Sequence, residues 1–553
     1  MKRLIYILIA ACLTLMYACE KDFLDINRNP NVPFEANVEH LLTGAQTNLA
    51  LANGSGNFIS TPLNVYVHQL TARESSDQYG LTASSVLLGN SWWYFYTWTL
   101  PNLDAIISMA EDSEQGQRWK NHAAVAKILK AFMFTQLVDI WGDVPFSEAN
   151  KNQLGIIHPK PEAGDVIYNA CFDLLDEAMQ MLDPSAEIRG DLIYGGNMAK
   201  WNRLANSLKL NMLNKTRLRK SQITDWAGKL NAVMSSAVGF IQPDEHFELF
   251  YTASVAPDQR HPGFTDGAYV GSQLGQYISP WIYEIMNGLT FNATNNPFAD
   301  LQDPRVPYYW VNQLEPGQYP DNPHEYKHGQ FVSIFFGSIG PYRDMGQDAA
   351  ASTVGIYPVG GKFDDGQGGR LSVADGTGVA PQKFLTYPEF IFTLAELELM
   401  ENNNEELAKD YLRQGIEASL SHIDHVVAKS GTRQEVPQLN NQHDSFIDAI
   451  ISRFESASGE KKFEIIMTQK WIAAFYNPIL NYADFRRTGY PVLFDPNTIA
   501  ISPDPFDPET PQVPTQLTRQ YPASMWYPQR EVELNPNIIQ KTSLPESYVF
   551  WQQ

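Results

Sequence analysis

The chain has 553 residues, 44% of them hydrophobic, with 62 acidic against 40 basic side chains and a formal net charge of −22. That is enough apolar material for a large core or several domains, while a nucleic-acid backbone, which needs a basic stripe, finds no complement here. The three cysteines are too few for a disulfide framework, so packing has to hold the fold.

In chain order, Lys2 and Arg3 precede an almost unbroken apolar run over residues 4–17. The run is shorter than the roughly 20 residues of a membrane span. It fits the apolar region of an export signal, residues 1–18, with the small Ala18 at the cleavage position. Cys19 then stands as the first mature residue, the arrangement in which the thiol takes a diacylglycerol and the new amino terminus is acylated. Several acyl chains anchor far better than one. Residues 9–12, IAAC, fit the same local pattern but would leave only about six apolar residues, below the ~7–15 that signals use. Cys19 is therefore the expected lipid attachment site. Cys12 leaves with the signal, and no disulfide remains possible within the chain.

Two ring-rich stretches stand out as ligand-binding candidates. ARESSDQYG (72–80) places Arg73, Glu74, Asp77 and Tyr79 in a turn-rich loop, and NSWWYFYTW (90–98) follows it. On a helix Trp92 and Tyr96 share a face, as do Trp93 and Tyr96 three residues apart. One face must be core, while the other can offer rings to a flat ligand, with Arg73 and Asp77 bonding its hydroxyls. The second stretch, 276–310, carries Tyr277, Trp281, Tyr283, Tyr308 and Trp310, with Pro304 and Pro307 bracketing part of it.

Helical periodicity is strongest in two zones. Val125, Leu129, Phe132, Leu137 and Ile140 mark a helix over 118–141. Asp165 is placed to cap the next, whose buried face holds Ile167, Cys171, Leu174, Ala178 and Leu182. This makes Cys171 a small core residue and not a nucleophile. Trp201, Leu204, Leu208 and Met212 mark a third helix, and 226–234 a shorter partner. Residues 239–382 turn rich in Gly, Pro, Asn, Asp and Tyr; irregular stretches of that length are usually functional. Helical pattern returns at 387–400, 407–427, 445–454 and 461–476, and the last ~75 residues are again Pro-rich loops. Eight helices in four consecutive pairs predict stacked helical hairpins, although no strict repeat survives.

Within the irregular middle, His324, Glu325 and His328 satisfy the HExxH pattern of zinc proteases, where two His one helical turn apart hold zinc and the Glu is general base. Pro320, Asn322 and Pro323 before it and Gly329 after it predict a turn instead, and no third ligand follows at a set distance. KFDDGQGG (362–369) offers loop carboxylates for calcium but lacks EF-hand spacing. G-x-S-x-G, Walker and dinucleotide fingerprints are missing. No catalytic, metal or cofactor residues are assigned.

Several segments, in order, resemble the SusD/RagB family of nutrient-binding outer-membrane lipoproteins. They are DFLDINRNPN (22–31), DIWGDVPFSEA (139–149), KWNRLANSLKL (200–210), DPRVPYYW (303–310), YPVGGKFDD (357–365), FLTYPEFIFTLAE (384–396), QKWIAAFYNPILNYADFRRTGYP (469–491) and YPASMWYPQREVELNPN (521–537). GGKFDD is similar to the second, more divergent branch. The resemblance implies a mainly α fold: four tetratricopeptide-like helix pairs with long irregular loops carrying the ligand site. It would form one domain over 19–553, with a helical scaffold at about 100–238 and 384–480, a loop-rich insert at about 239–383 and a C-terminal loop region from about 481. It also implies a non-enzymatic role at the outer membrane, lipid-anchored and facing the exterior. There the protein would catch an oligosaccharide, or in some members a peptide, and pass it to a SusC-like TonB-dependent barrel.

The motifs also read physically. Gly142 can stop the helix ending at Trp141 and Pro145 keeps it from restarting. Thr386 with Glu389 is a capping-box pattern. Arg486 and Arg487 beside Asp484 suit tying a loop to a helix end by charge-assisted bonds.

Overall fold

The computed structural model describes residues 37–73, 78–111, 116–268, 275–321, 324–340, 343, 349–357, 367–369, 372–374, 376–431, 443–495 and 519–552. Cys19, Glu74, Asp77 and the carboxylates of KFDDGQGG lie outside these residues. The fold is mainly α. Among the described residues three helices precede the expected scaffold, α1 (Val38–Ala52), α2 (Ser60–Tyr66) and α3 (Val86–Trp93), and a π-helical turn, Tyr94–Thr99, joins α3 to α4 (Leu100–Glu111) at its start. The scaffold continues as α5 (Lys120–Trp141), α6 (Gly164–Met181), α7 (Met198–Lys215) and α8 (Trp226–Met234). After the short α9 (Pro280–Met286) come α10 (Tyr387–Met400), α11 (Glu405–Lys429), α12 (Asp444–Ser456), α13 (Gly459–Ala473) and α14 (Pro478–Thr488). Consecutive members pack as hairpins: α5 on α6, α7 on α8, α10 on α11, α12 on α13.

Why α5 and α10 sit at the centre is visible in their composition. Both bury side chains all around the axis, as a helix must when other elements cover every face. Gly142 ends α5 at φ 80°, a conformation glycine adopts without penalty. Thr386 and Glu389 form the expected capping box at the start of α10. At α6 the cap differs from expectation. The helix begins one residue before Asp165, with Ala163 at the cap position, and the orphan N–H of Gly164 is bonded by the Asp143 carboxylate at 3.0 Å. The cap comes from the WGDVP turn because Gly164 itself takes the first helical position, leaving Asp165 to favour the helix dipole from within the first turn.

Charged groups buried between the pairs act as staples. On α5, Asp139 accepts from Lys215 of α7 at 2.5 Å, Tyr168 of α6 at 2.5 Å and the Trp551 indole at 2.9 Å. On α10, Glu396 accepts from Asn214 at 2.8 Å, Arg217 at 3.2 Å and both terminal nitrogens of Arg487. Although burial alone would raise the Glu396 pKa, Arg487, Lys470 and Arg217 hold it well below the usual carboxylate range. The Arg pair does tie a loop to a helix end. Arg486 donates to Ala523 O at 2.5 Å and to Asp139 O, while Arg487 bonds Asp484 at 2.8 Å. Cys171 is fully buried, and loss of solvation pushes its thiol pKa up.

Among the described residues the strands are short and pair two by two, all antiparallel. Those that position the sites are β1 (Leu70–Ala72) with β3 (Gln276–Ile278), β2 (Phe247–Phe250) with β8 (Pro381–Leu385), β4 (Trp310–Val311) with β7 (Thr353–Val354), and β5 (Tyr326–His328) with β6 (Phe331–Ser333).

Candidate ligand-binding site

The β1–β3 pairing brings together the two ring-rich stretches picked out in the sequence. Thr71 lies opposite Tyr277, and the Arg73 N–H donates to Gly275 O at 3.1 Å. Arg343 fastens the same corner, donating to Phe335 O at 3.0 Å and to Ala72 O. Arg73 is buried at this junction. Tyr79 is buried too. Its hydroxyl meets His68 Nε2 at 3.0 Å, and its ring packs 5.0 Å from Phe336 and 5.2 Å from Tyr521.

In the second stretch the rings are core. The Trp281 indole donates to Val492 O at 3.1 Å. Tyr283 stacks on Phe331 at 3.7 Å and bonds His328 Nδ1 at 2.6 Å. Trp310 lies 5.7 Å from Tyr283, and Tyr277 and Tyr308 are likewise buried. The prolines present these rings inward and not on loops. Pro307 sits in a helical turn, Val306–Tyr309, anchored by the fully buried Arg305, which bonds Asp303, Ser419 and Gln469 at 2.9, 2.9 and 2.8 Å.

On α3 the two faces separate as required. Trp92 turns inward, edge-on to Trp141 at 5.3 Å, and Tyr96 is tied by its hydroxyl to Pro145 O at 2.8 Å. Trp93 is 42% exposed and Trp98 50% exposed. In a regular α-helix, positions five apart fall about 140° away from each other around the axis. Trp98 falls within the π-turn Tyr94–Thr99, whose hydrogen bonds span five residues and change the angular spacing from that of an α-helix. The Arg530 guanidinium lies 5.1 Å from the Trp93 ring centre.

The C-terminal segment completes this region. Met525 N–H donates to Ile140 O at 2.9 Å, the Trp141 indole to Trp526 O at 2.9 Å, Tyr527 OH to Asp143 O at 2.7 Å, and Gln529 N–H to Ala83 O at 3.0 Å. Between it and the Tyr79 loop opens a cleft of about 740 Å³, lined among others by Tyr79, Thr82, Arg519, Trp526, Gln540 and Lys541. Lys541 Nζ donates to Trp141 O at 2.7 Å and Ser524 Oγ at 2.6 Å; burial, with Arg486 nearby, brings its pKa down to about 7. Trp526 brings an indole to this cleft, while the Tyr79 hydroxyl, the Gln540 amide, which donates to Tyr527 O at 2.8 Å, and Lys541 Nζ are engaged with protein groups. The YPASMWYPQREVELNPN segment was conspicuous in the sequence, but nothing local marks its residues as cleft-lining, since that depends on where the segment docks.

The HEYKH stretch is a strand and a turn, not a helix. Tyr326–His328 pairs with Phe331–Ser333 across Gly329 at φ 59°. The buried Glu325 carboxylate accepts from Ser338 Oγ at 2.5 Å and Phe335 N–H at 3.0 Å, which holds the 335–338 turn. In a strand, residues four apart are spread along the chain and not stacked one turn above the other, so the zincin geometry is not formed. Among the described residues no cluster of three His, Cys, Asp or Glu is arranged to hold a metal.

The profile of a family described as "starch-binding associating with outer membrane" matches residues 30–508. The chain belongs to the SusD-like family. A chitin-binding protein of solved structure shares 21% identity with this SusD-like chain at a TM-score of 0.62, covering 90% of it and 94% of the other. A SusD homologue from Bacteroides fragilis gives 19%, 0.60, 91% and 95%. A chitin-binding SusD homologue from Flavobacterium johnsoniae gives 17%, 0.59, 92% and 98%. At such identities the likeness establishes the fold. No curated protein matches the chain. Among the described residues no helix of this SusD-like protein is long and apolar enough to cross a membrane.

Proposed function

We propose that this SusD-like protein is a cell-surface lipoprotein, anchored through Cys19, that captures a nutrient oligomer and passes it to a SusC-like TonB-dependent barrel for import. A glycan is the ligand that the family's description favours. The family match over residues 30–508 carries this reading. Trp93 and Trp98 supply ring faces for sugar stacking. Arg73 and Asp77, with the cleft beside Tyr79, supply partners for hydroxyls. Trp92, Tyr96, Tyr277, Trp281, Tyr308 and Trp310 serve by holding these parts in place, since their own rings are covered by protein. No bond in the ligand is made or broken; import is driven through the barrel. Isothermal titration against a panel of oligosaccharides and peptides, with product analysis of the same mixtures, tests the reading. Binding of a glycan without product is expected. Cleaved product would overturn it, as would failure to bind any oligosaccharide both alone and with the barrel present.

A further inference from the structure

Charges taken from water in this fold meet their opposites: Asp139 with Lys215, Glu396 and Asp484 with Arg487. Two half-buried cations behind the cleft at Tyr79 depart from that rule. The Arg486 guanidinium donates to three carbonyls, Tyr482 O at 3.1 Å, Ala523 O at 2.5 Å and Asp139 O, and lies 3.7 Å from the Tyr482 ring centre. Lys541 bonds Trp141 O and Ser524 Oγ, with the Tyr527 ring 5.0 Å away. Among the described residues neither cation is paired with a carboxylate. The acids close by are committed elsewhere. Arg486 reaches only the main chain of Asp139, whose carboxylate serves Lys215, Tyr168 and the Trp551 indole. Asp143 acts on Lys541, but its Oδ1 accepts from the Gly164 N–H at 3.0 Å. Asp495 acts on the Tyr79 hydroxyl. Arg519 lines the same cleft, and the lining residues include no Asp or Glu. On a chain of net charge −22 this is a local excess of positive charge. Unpaired cations held partly out of water cost stability unless an anion joins them.

The hydrogen bonds of Lys541 show how an anion would be met. Ser524 Oγ gives its own proton to Ser547 O at 2.6 Å, so towards Lys541 it can only accept. Trp141 O is a carbonyl and also only accepts. Two N–H groups are therefore used, the full number that a neutral amine possesses. The third tetrahedral position carries a lone pair in the amine and an N–H in the ammonium. A lone pair repels a carboxylate or sulfate, whereas a charged N–H bonds it strongly. An anion in the cleft thus has to arrive with a proton on Lys541. Trp526, in the same lining, adds an indole face for a sugar ring.

We propose that the cleft takes an acidic oligosaccharide, whose carboxylate or sulfate accepts from the third N–H of Lys541 and is bound together with a proton. The inference rests on the glycan-capture reading and names the charge class of its ligand. With the free amine poised at a pKa of about 7, an added anion raises that value, so binding takes up protons just above neutrality and affinity falls as pH rises from 7 to 9.

The test titrates the full chain in detergent, at constant ionic strength, with two matched pairs. One is hexagalacturonate and its methyl ester; the other is a sulfated carrageenan hexasaccharide and its desulfated form. In at least one pair the acidic member is expected to bind about 10-fold or more tightly at pH 7, and which pair responds tells carboxylate from sulfate. Its affinity is expected to fall about 5-fold or more by pH 9, and its presence to slow acetylation of Lys541 as read by mass spectrometry. Lys541→Met, checked for an undiminished melting temperature, should lose most of the acidic preference and its pH dependence. Neutral members that bind as well as their acidic partners would overturn the inference and leave glycan capture standing. An acidic preference that is flat from pH 7 to 9 and survives Lys541→Met would place the anion elsewhere and overturn it too. Failure of every oligosaccharide, alone and with the barrel present, would remove both readings.

Discussion

Adjacent residues on α3 have opposite fates, and substitution separates them. Trp93→Ala with Trp98→Ala removes two ring faces at the surface. Binding of the preferred glycan should weaken about 10-fold or more, with the melting temperature unchanged, as read by calorimetry and thermal unfolding. Trp92→Ala instead leaves a hole against Trp141 and should cost about 3–5 kcal/mol of stability by denaturant titration. Glu396→Gln leaves the buried Arg487 and Lys470 undercompensated, and a loss of about 3–5 kcal/mol is expected. Lys541 gives a pH signature. Its pKa is lowered from 10.5 to about 7 in the fold, so the unfolded chain binds the extra proton between those values. Its charged form costs stability in full below pH 7, and the cost is relieved as pH rises towards 10.5. Lys541→Met should flatten that alkaline rise in a pH series of unfolding midpoints.

Helices were legible where side-chain spacing decides them. The 226–234 and 387–400 readings coincide with α8 and α10, because in each an apolar periodicity meets a clear start and stop. Cys171 sits on the buried face as spacing required, although Leu175 and not Leu174 accompanies it. A thiol-specific reagent should therefore react at Cys171 only in denaturant, while the native protein stays unlabelled over hours. The cap of α6 and the π-turn were less legible. One depends on Asp143 arriving from another segment, and the other on a hydrogen-bond shift that composition does not encode.

At the scale of the whole molecule, the proposed outer-membrane role predicts that the chain is recovered from outer membranes with a large barrel protein, and that Cys19→Ala releases it into the soluble fraction. Quantitative immunoblotting of fractionated cells measures both. The sequence by itself determined the helical scaffold, its pairing and the family, since hydrophobic periodicity, capping patterns and a run of motifs in order are local properties of the chain. It also determined that HEYKH belongs to a turn-rich segment, through the flanking Pro, Asn and Gly. Only the tertiary structure decided which rings are exposed. Tyr277, Trp281, Tyr308 and Trp310 look the same in sequence as Trp93 and Trp98. The first four are covered by segments distant along the chain, while the last two are left exposed. The cleft at Lys541 is equally tertiary, because it is a space between segments far apart in sequence and exists only once those segments are packed.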